Sequence, residues 1–241
     1  MNLKERDQQR KQLEYELMYK LSNIIDNIRN QGIRDISIAQ VHFGPEVKEI
    51  LRRYTYLSYV IGAEYSASKK KMDYFPTAID LQNMRMITDD YYPRIWLRLN
   101  LILHRNDVLL QKYDFVPRSE LSTNYAVTTI AISLITRAIS RGTVSELEQL
   151  QSATKSIRVK TKQAAIEGDV LVWTTQQDEL VCPTCEELDG QQWAMDDPGL
   201  QEPPDDAHDN CRCYLDIIPT EESDIADELD FEEIELTAEE F

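Results

Sequence analysis

Four cysteines and one histidine within a 32-residue window carry the chemistry of this sequence. Cys182-Pro183-Thr184-Cys185 forms a C-x2-C pair. Twenty-two residues later comes His208-x2-Cys211-Arg212-Cys213. Zn²⁺ takes four nitrogen or sulfur ligands in a tetrahedron, and two short-spaced pairs brought together by a hairpin supply them. Cys182 and Cys185 make the first pair. His208 with Cys211 is the better second pair by spacing, and Cys213 competes for the fourth place. The segment around them has too few apolar residues to fold on a core of its own, so a metal staple answers a physical need. Disulfides, a redox couple and plain thiols are the competing readings. A redox C-x-x-C would want a strand–helix context that the flanks do not offer.

The same residues argue against catalysis by the metal. A deaminase needs H-x-E ahead of P-C-x-x-C, whereas here Pro183 lies inside the pair and the histidine follows it. The H-E-x-x-H of metalloproteases is absent. Four or five soft ligands leave no coordination position for water, so a structural site and a non-enzymatic chain are expected. His42 and His104 stand isolated. There is no glycine-rich phosphate loop and no arguable Ser/His/Asp set.

The elements that must position these donors are mostly helical. The chain has 241 residues, 42% hydrophobic and 29% charged, with only seven glycines and nine prolines. That composition supports a packed core and favours helix over turn-rich β architecture. Leu13, Leu17, Leu21, Ile24, Ile25 and Ile28 recur at helical spacing, after a solvated charged stretch from Lys4 to Lys11, and Gly32 is the expected stop. A second helix is expected to open at Gly44-Pro45-Glu46 and to end near Lys69-Lys70-Lys71. A third should start near Asp89-Asp90 or Pro93 and run through Ile95, Trp96 and Leu99. Pro117 should open a broadly apolar helix through Ile130, Leu134 and Ile135, ended by Gly142. Thr143-Val144-Ser145-Glu146 matches a capping box for the next helix, running towards Gly168.

After Gly168 the texture turns β-prone. Val170–Thr175, Gln191–Met195 and Cys213–Ile218 are strand candidates, and Asp189-Gly190 is a turn signal. The expected architecture is therefore mainly α. A helical body at 1–167 precedes a small β-rich metal-binding module at 168–218 and an acidic tail at 219–241. From Thr220 to Phe241, eleven of 22 residues are acidic and none is basic. Such a tail reads as disordered and able to order on a partner.

Charge divides the same way. Residues 1–162 carry 25 basic and 18 acidic residues, net +7, and residues 163–241 carry net −24. Opposite signs suggest two partners, or simply a soluble acidic end. The longest uncharged run, Leu121–Thr136, is too short and too polar to span a bilayer. With no apolar leader at the N-terminus, cytoplasmic synthesis is expected, which disfavours disulfides.

The segment Trp173-Thr174-Thr175-Gln176-Gln177-Asp178-Glu179-Leu180-Val181-Cys182-Pro183-Thr184-Cys185 resembles a known pattern. So do Leu188-Asp189-Gly190 with Trp193, Pro203-Pro204 and His208-Asp209-Asn210-Cys211-Arg212-Cys213. Together they resemble the C-terminal module of the Mu F-like head morphogenesis proteins, minor head proteins of tailed bacteriophages. The resemblance covers about residues 155–216 and says little of the first 150. It implies a low-copy virion component at or near the portal vertex, made in the host cytoplasm. Its partners would be portal, major capsid or scaffold proteins, with packaged DNA as a further candidate through the basic body, and no membrane. It implies that Cys182, Cys185, His208, Cys211 and Cys213 form the metal cluster around a structural Zn²⁺. Asp189-Gly190 would turn the zinc hairpin, and Arg212 would pair with a nearby carboxylate or a backbone carbonyl. Mu F-like modules also occur joined to effector domains, so a toxin-type enzyme is the alternative. A zinc-ribbon regulator of nucleic acid is a third reading, which the −24 charge opposes.

Overall fold

The computed structural model describes residues 1–103, 123–161, 169–176, 181–195, 197–208 and 211–218. Among these residues the chain is mainly helical, with a small three-stranded antiparallel sheet near its C-terminal end. Four long helices, α1 (Leu3–Asn30), α2 (Ile36–Lys69), α3 (Ala78–Leu103) and α4 (Thr123–Thr161), form an up-down-up-down bundle. Pairs across the bundle give the directions. Glu16 and Arg6 of α1 meet Tyr54 and Tyr65 of α2, so those helices are antiparallel. Lys48 and Tyr59 of α2 meet Asp89 and Asp80 of α3. Arg137 and Ser145 of α4 meet Asp90 and Asp80 of α3.

α1 begins earlier than its apolar stripe suggests. Asn2 caps it in a capping box with Glu5, and Gly32 follows with φ +69, a left-handed position that glycine takes without strain. The Lys4–Lys11 stretch is therefore helix rather than a solvated lead, and Arg6 and Arg10 within it are buried. They continue the stripe: residues 6, 10, 13, 17, 21, 24 and 28 keep one face inward.

Two other expected starts move upstream for the same reason. Asp35, not Gly44, caps α2 by accepting from the Ser37 amide at 2.8 Å, and Ala39 and Phe43 already face the core. Pro45 sits on the exposed side within the helix. α3 opens at Ala78, where Thr77 and Asp80 exchange hydrogen bonds, and Pro93 lies on its exposed side. Asp89-Asp90 is thus mid-helix.

Gly142 does not end a helix either. α4 runs through it, and the Thr143 hydroxyl donates to the Ile139 carbonyl, as a mid-helix threonine does, rather than capping a new start. The glycine serves packing instead. A Cβ on Gly142 would lie 2.2 Å from the Tyr59 carbonyl oxygen of α2, and one on Gly62 would lie 2.0 Å from that of Ile139. Two diagonal helices of the bundle thereby touch backbone to backbone. Ser66 stitches the crossing by donating to the Thr143 carbonyl at 2.9 Å.

The bundle core gathers Leu17, Ile24, Ile25, Leu51, Met84, Ile95, Leu134 and Ile135. Each such side chain, fully buried, contributes about 1.5–3 kcal/mol. A second core lies beside it. There Val144 and Leu147 of α4 pack with Leu171, Trp173, Leu215 and Ile217. These last four come from β1 (Val170–Thr174) and β3 (Tyr214–Ile218), with β2 (Gln192–Ala194) on the other edge, in the order β2-β1-β3. The register sets Leu171 against Ile217 and Trp173 against Leu215, so these residues share a face. The strands fall where the β-prone runs predicted them. The Pro117 start, the approach to Gly168, His104 and the acidic tail lie outside the described residues.

Candidate metal centre

A six-residue helix, α5 (Pro183–Leu188), presents the first pair of donors. Cys182 is its N-cap, with Pro183 in the first turn, where a missing N–H leaves nothing unpaired. The Cys185 amide points at Cys182 Sγ, 3.4 Å away, so one turn sets both sulfurs on the same side. The Asp189-Gly190 turn then carries the chain back to the sheet. Gly190 has φ +77, its amide donates to the Trp173 carbonyl at 2.8 Å, and Asp189 Oδ1 accepts from the Thr175 amide at 2.8 Å. A second tight turn, in which the Cys211 amide donates to the His208 carbonyl at 3.1 Å, presents the other donors just ahead of β3.

All five donors predicted from the spacing come together. Cys182, Cys185 and His208 form one triad and Cys185, Cys211 and Cys213 another, each with its ligand atoms within 4.8 Å of one another. Cys185 belongs to both. His208 Nε2 lies 3.0 Å from Cys182 Sγ and 3.2 Å from Cys185 Sγ, and Cys185 Sγ lies 3.7 Å from Cys211 Sγ. No disulfide links the cysteines. A tetrahedron with Zn–S bonds of about 2.3 Å has sulfur–sulfur edges of about 3.8 Å, and a sulfur–imidazole edge is about 3.5 Å. The sulfur–sulfur spacing is close to such an edge and the two sulfur–imidazole spacings are somewhat shorter, so the cluster could hold a metal ion, and its soft donors suit a thiophilic divalent one.

Electrostatics couples the thiols. Burial, then hydrogen bonding with Cys182 and Cys213, pushes the Cys185 thiol up to about 12. Cys211 is also raised, chiefly because its S–H is held by Cys213 and then because it is buried. The Cys213 thiolate, receiving that hydrogen bond and helped by Cys185 and the Trp173 indole, is lowered to about 6. Such protons would have to leave if a cation bound, so metal uptake here would release acid.

The bundle contributes more to this centre than the spacing of the cysteines signals. Thr136 of α4 donates to the Cys211 carbonyl and Arg10 of α1 to the Arg212 carbonyl, both at 3.1 Å. The Arg6 guanidinium is sandwiched between Tyr65 of α2 and Tyr214 of β3, with its carbon 4.1 and 4.0 Å from the ring centroids. β3 thus makes contacts on both faces: Leu215 and Ile217 pack in the small core, while buried Tyr214 and half-buried Asp216 meet the bundle. The Arg212 charge acts on Glu14 of α1, as does that of Arg10. Together they oppose the burial that raises the Glu14 carboxyl.

Charge complementarity extends along the contact. Lys70 pairs with Asp169, Lys69 with Asp216 at 3.4 Å, Arg137 with Asp205 at 3.0 Å and Arg141 with Glu202 at 3.3 Å. The opposite signs of the two halves are therefore used, at least in part, within the chain itself. Arg6 and Arg10 escape a reading based on apolar residues alone. Their positions in the 6-10-13-17 register are the signal that marks them as inward-facing cations. For Tyr65 and Thr136 the sequence carries no comparable mark.

Among the described residues no helix is long and apolar enough to cross a membrane. The fold and site define a mainly α chain with a small antiparallel sheet that carries a Cys/His cluster able to bind a metal. Comparison with protein-family models, curated proteins and solved structures finds no match for this chain.

Proposed function

We propose that the chain is a structural component of a bacteriophage head, a minor head protein of the Mu F-like type acting at or near the portal vertex. Its C-terminal module would be a knob stapled by Zn²⁺. One observation carries this reading: the residues of the resembling motif, Cys182, Cys185, His208, Cys211 and Cys213, meet at a single cluster. Cys182, Cys185, His208 and Cys211 are taken as the four ligands, on the His208-x2-Cys211 spacing and a Cys185–Cys211 distance of 3.7 Å that fits a tetrahedral edge. Cys213, in the triad with Cys185 and Cys211, is the rival for the fourth place. The ion supplies cross-linking, and with its sphere filled by protein it is structural. Module and bundle then form one rigid body that presents a docking surface to portal, capsid or scaffold protein.

Lys69, Lys70, Arg137 and Arg141 already face carboxylates of the same chain. The net +7 of the first 162 residues therefore overstates the cationic surface open to DNA, and protein docking is the principal role. Purified particles test this reading by mass spectrometry and imaging. The chain is expected in the virion at the portal vertex, and recovery only from infected-cell cytosol would overturn it. Metal analysis of the purified chain should find one zinc per molecule.

A further inference from the structure

Two side chains of the bundle hold the peptide units of the ligand turn from outside the module. The Thr136 hydroxyl, 2% exposed on α4, donates to the carbonyl of Cys211 across 75 positions of sequence. The Arg10 guanidinium, 5% exposed on α1, donates to the carbonyl of Arg212 across 202 positions. The two carbonyls are consecutive. Gripping consecutive peptides from two different helices fixes both the position of that stretch and its rotation about the chain axis. Cys211 follows, since its Cβ direction is set by the backbone on either side of it.

A small metal-binding module must normally order its ligand turns at the expense of metal-binding energy. Here part of that order exists before an ion arrives. We infer that Arg10 and Thr136 are positioning residues of the metal centre, so that metal affinity depends on the helical bundle. The inference rests on the proposal that the cluster holds zinc. It adds that residues outside the module tune that site. By linkage the effect is reciprocal: metal binding must tighten α1 and α4 around these two contacts.

The test uses the full chain, with Zn²⁺ as the probe and a chromogenic chelator as competitor. Thr136→Val and Arg10→Met should each lower zinc affinity about 10- to 100-fold, the range found when outer partners of metal ligands are removed. Thr136→Ser and Arg10→Lys, which keep a donor, should recover most of the loss. Thr88→Val is the control. It removes a buried hydroxyl bonded to the Met84 carbonyl, far from the ligand turn in sequence, and should leave affinity unchanged.

Hydrogen exchange on the wild type supplies a readout that does not depend on any variant folding. Chelation should raise exchange in α1 around Arg10 and in α4 around Thr136 as well as in residues 181–218. If the wild type takes up no zinc, the metal reading itself fails and takes this inference with it. If it binds zinc and both donor-deleting variants bind within twofold of it, or if exchange changes only in the module, the coupling alone is overturned.

Discussion

Tyr65 of α2 donates its phenolic hydrogen to Asp216 Oδ1 of β3 at 2.6 Å, joining residues 151 positions apart. Tyr65 also forms one side of the Arg6 sandwich, and Lys69, one turn on, reaches the same carboxylate. Bundle and sheet are thus joined by a charge-assisted bond, a stacked cation and an ion pair within one patch.

Removing that hydroxyl gives the first prediction. Burial alone would raise the Asp216 carboxyl, but the Tyr65 hydroxyl, the Ile217 amide and Lys69 outweigh it and hold it below its ordinary value. A depressed carboxyl stabilises the fold above its unfolded value, and the contribution is lost as pH falls through the folded one. Tyr65→Phe should cost about 1.5–3 kcal/mol at neutral pH. Urea titrations should show variant and wild type converging in acid, whereas a gap that stays constant down to pH 2 would contradict the assignment.

The helix crossing gives the second. Alanine at Gly62 or Gly142 would push a methyl group into a facing carbonyl that no side-chain rotation can move. Each substitution should destabilise the chain by about 1–3 kcal/mol or more. Thermal unfolding reads this directly, and Gly190→Ala, which meets no atom within 4 Å, separates clash from backbone strain.

Glu146 supplies a third, on the opposite limb of the pH curve. Burial, reinforced by the nearby Asp80 charge, holds its carboxyl up to about 8, against 4.5 when exposed. Between those values the folded chain binds the extra proton. The stabilisation is complete below about pH 4.5 and is lost as pH rises through 8. Glu146→Gln cannot ionise, so it should match wild type near pH 5 and exceed it near pH 8.5 in denaturant midpoint. Parallel pH profiles would refute the shift.

Among the ligands, Cys185→Ser should be the most damaging substitution, because that sulfur belongs to both triads. Cys211→Ser should lower zinc affinity by orders of magnitude and Cys213→Ser only several-fold. The reverse ranking, read by competition with a chelator, would move Cys213 into the coordination sphere.

Much of this arrangement was legible in residue order. Spacing alone grouped Cys182, Cys185, His208, Cys211 and Cys213, since metal chemistry constrains local separations. Val170–Thr174 and Tyr214–Ile218 were visible because β-branched and aromatic residues cluster there. Helix limits were less so. Pro45, Pro93 and Gly142 read as boundaries, yet each lies inside a helix, where long-range packing outweighs local preference. Gly142 is the clearest case, since its reason is the Tyr59 backbone on another helix, which no local pattern encodes. The Tyr65–Asp216 bond and the grip of Thr136 on Cys211 were hidden for the same reason: both depend on how distant segments are brought together.

α4 lends Val144 and Leu147 to the small core while its earlier turns line the large one. A single rod is therefore a wall of both chambers. Cutting the chain after Thr161 would strip two greasy side chains of their cover, and the resulting fragment should self-associate. Anyone dissecting this molecule for assembly experiments should keep the two parts together.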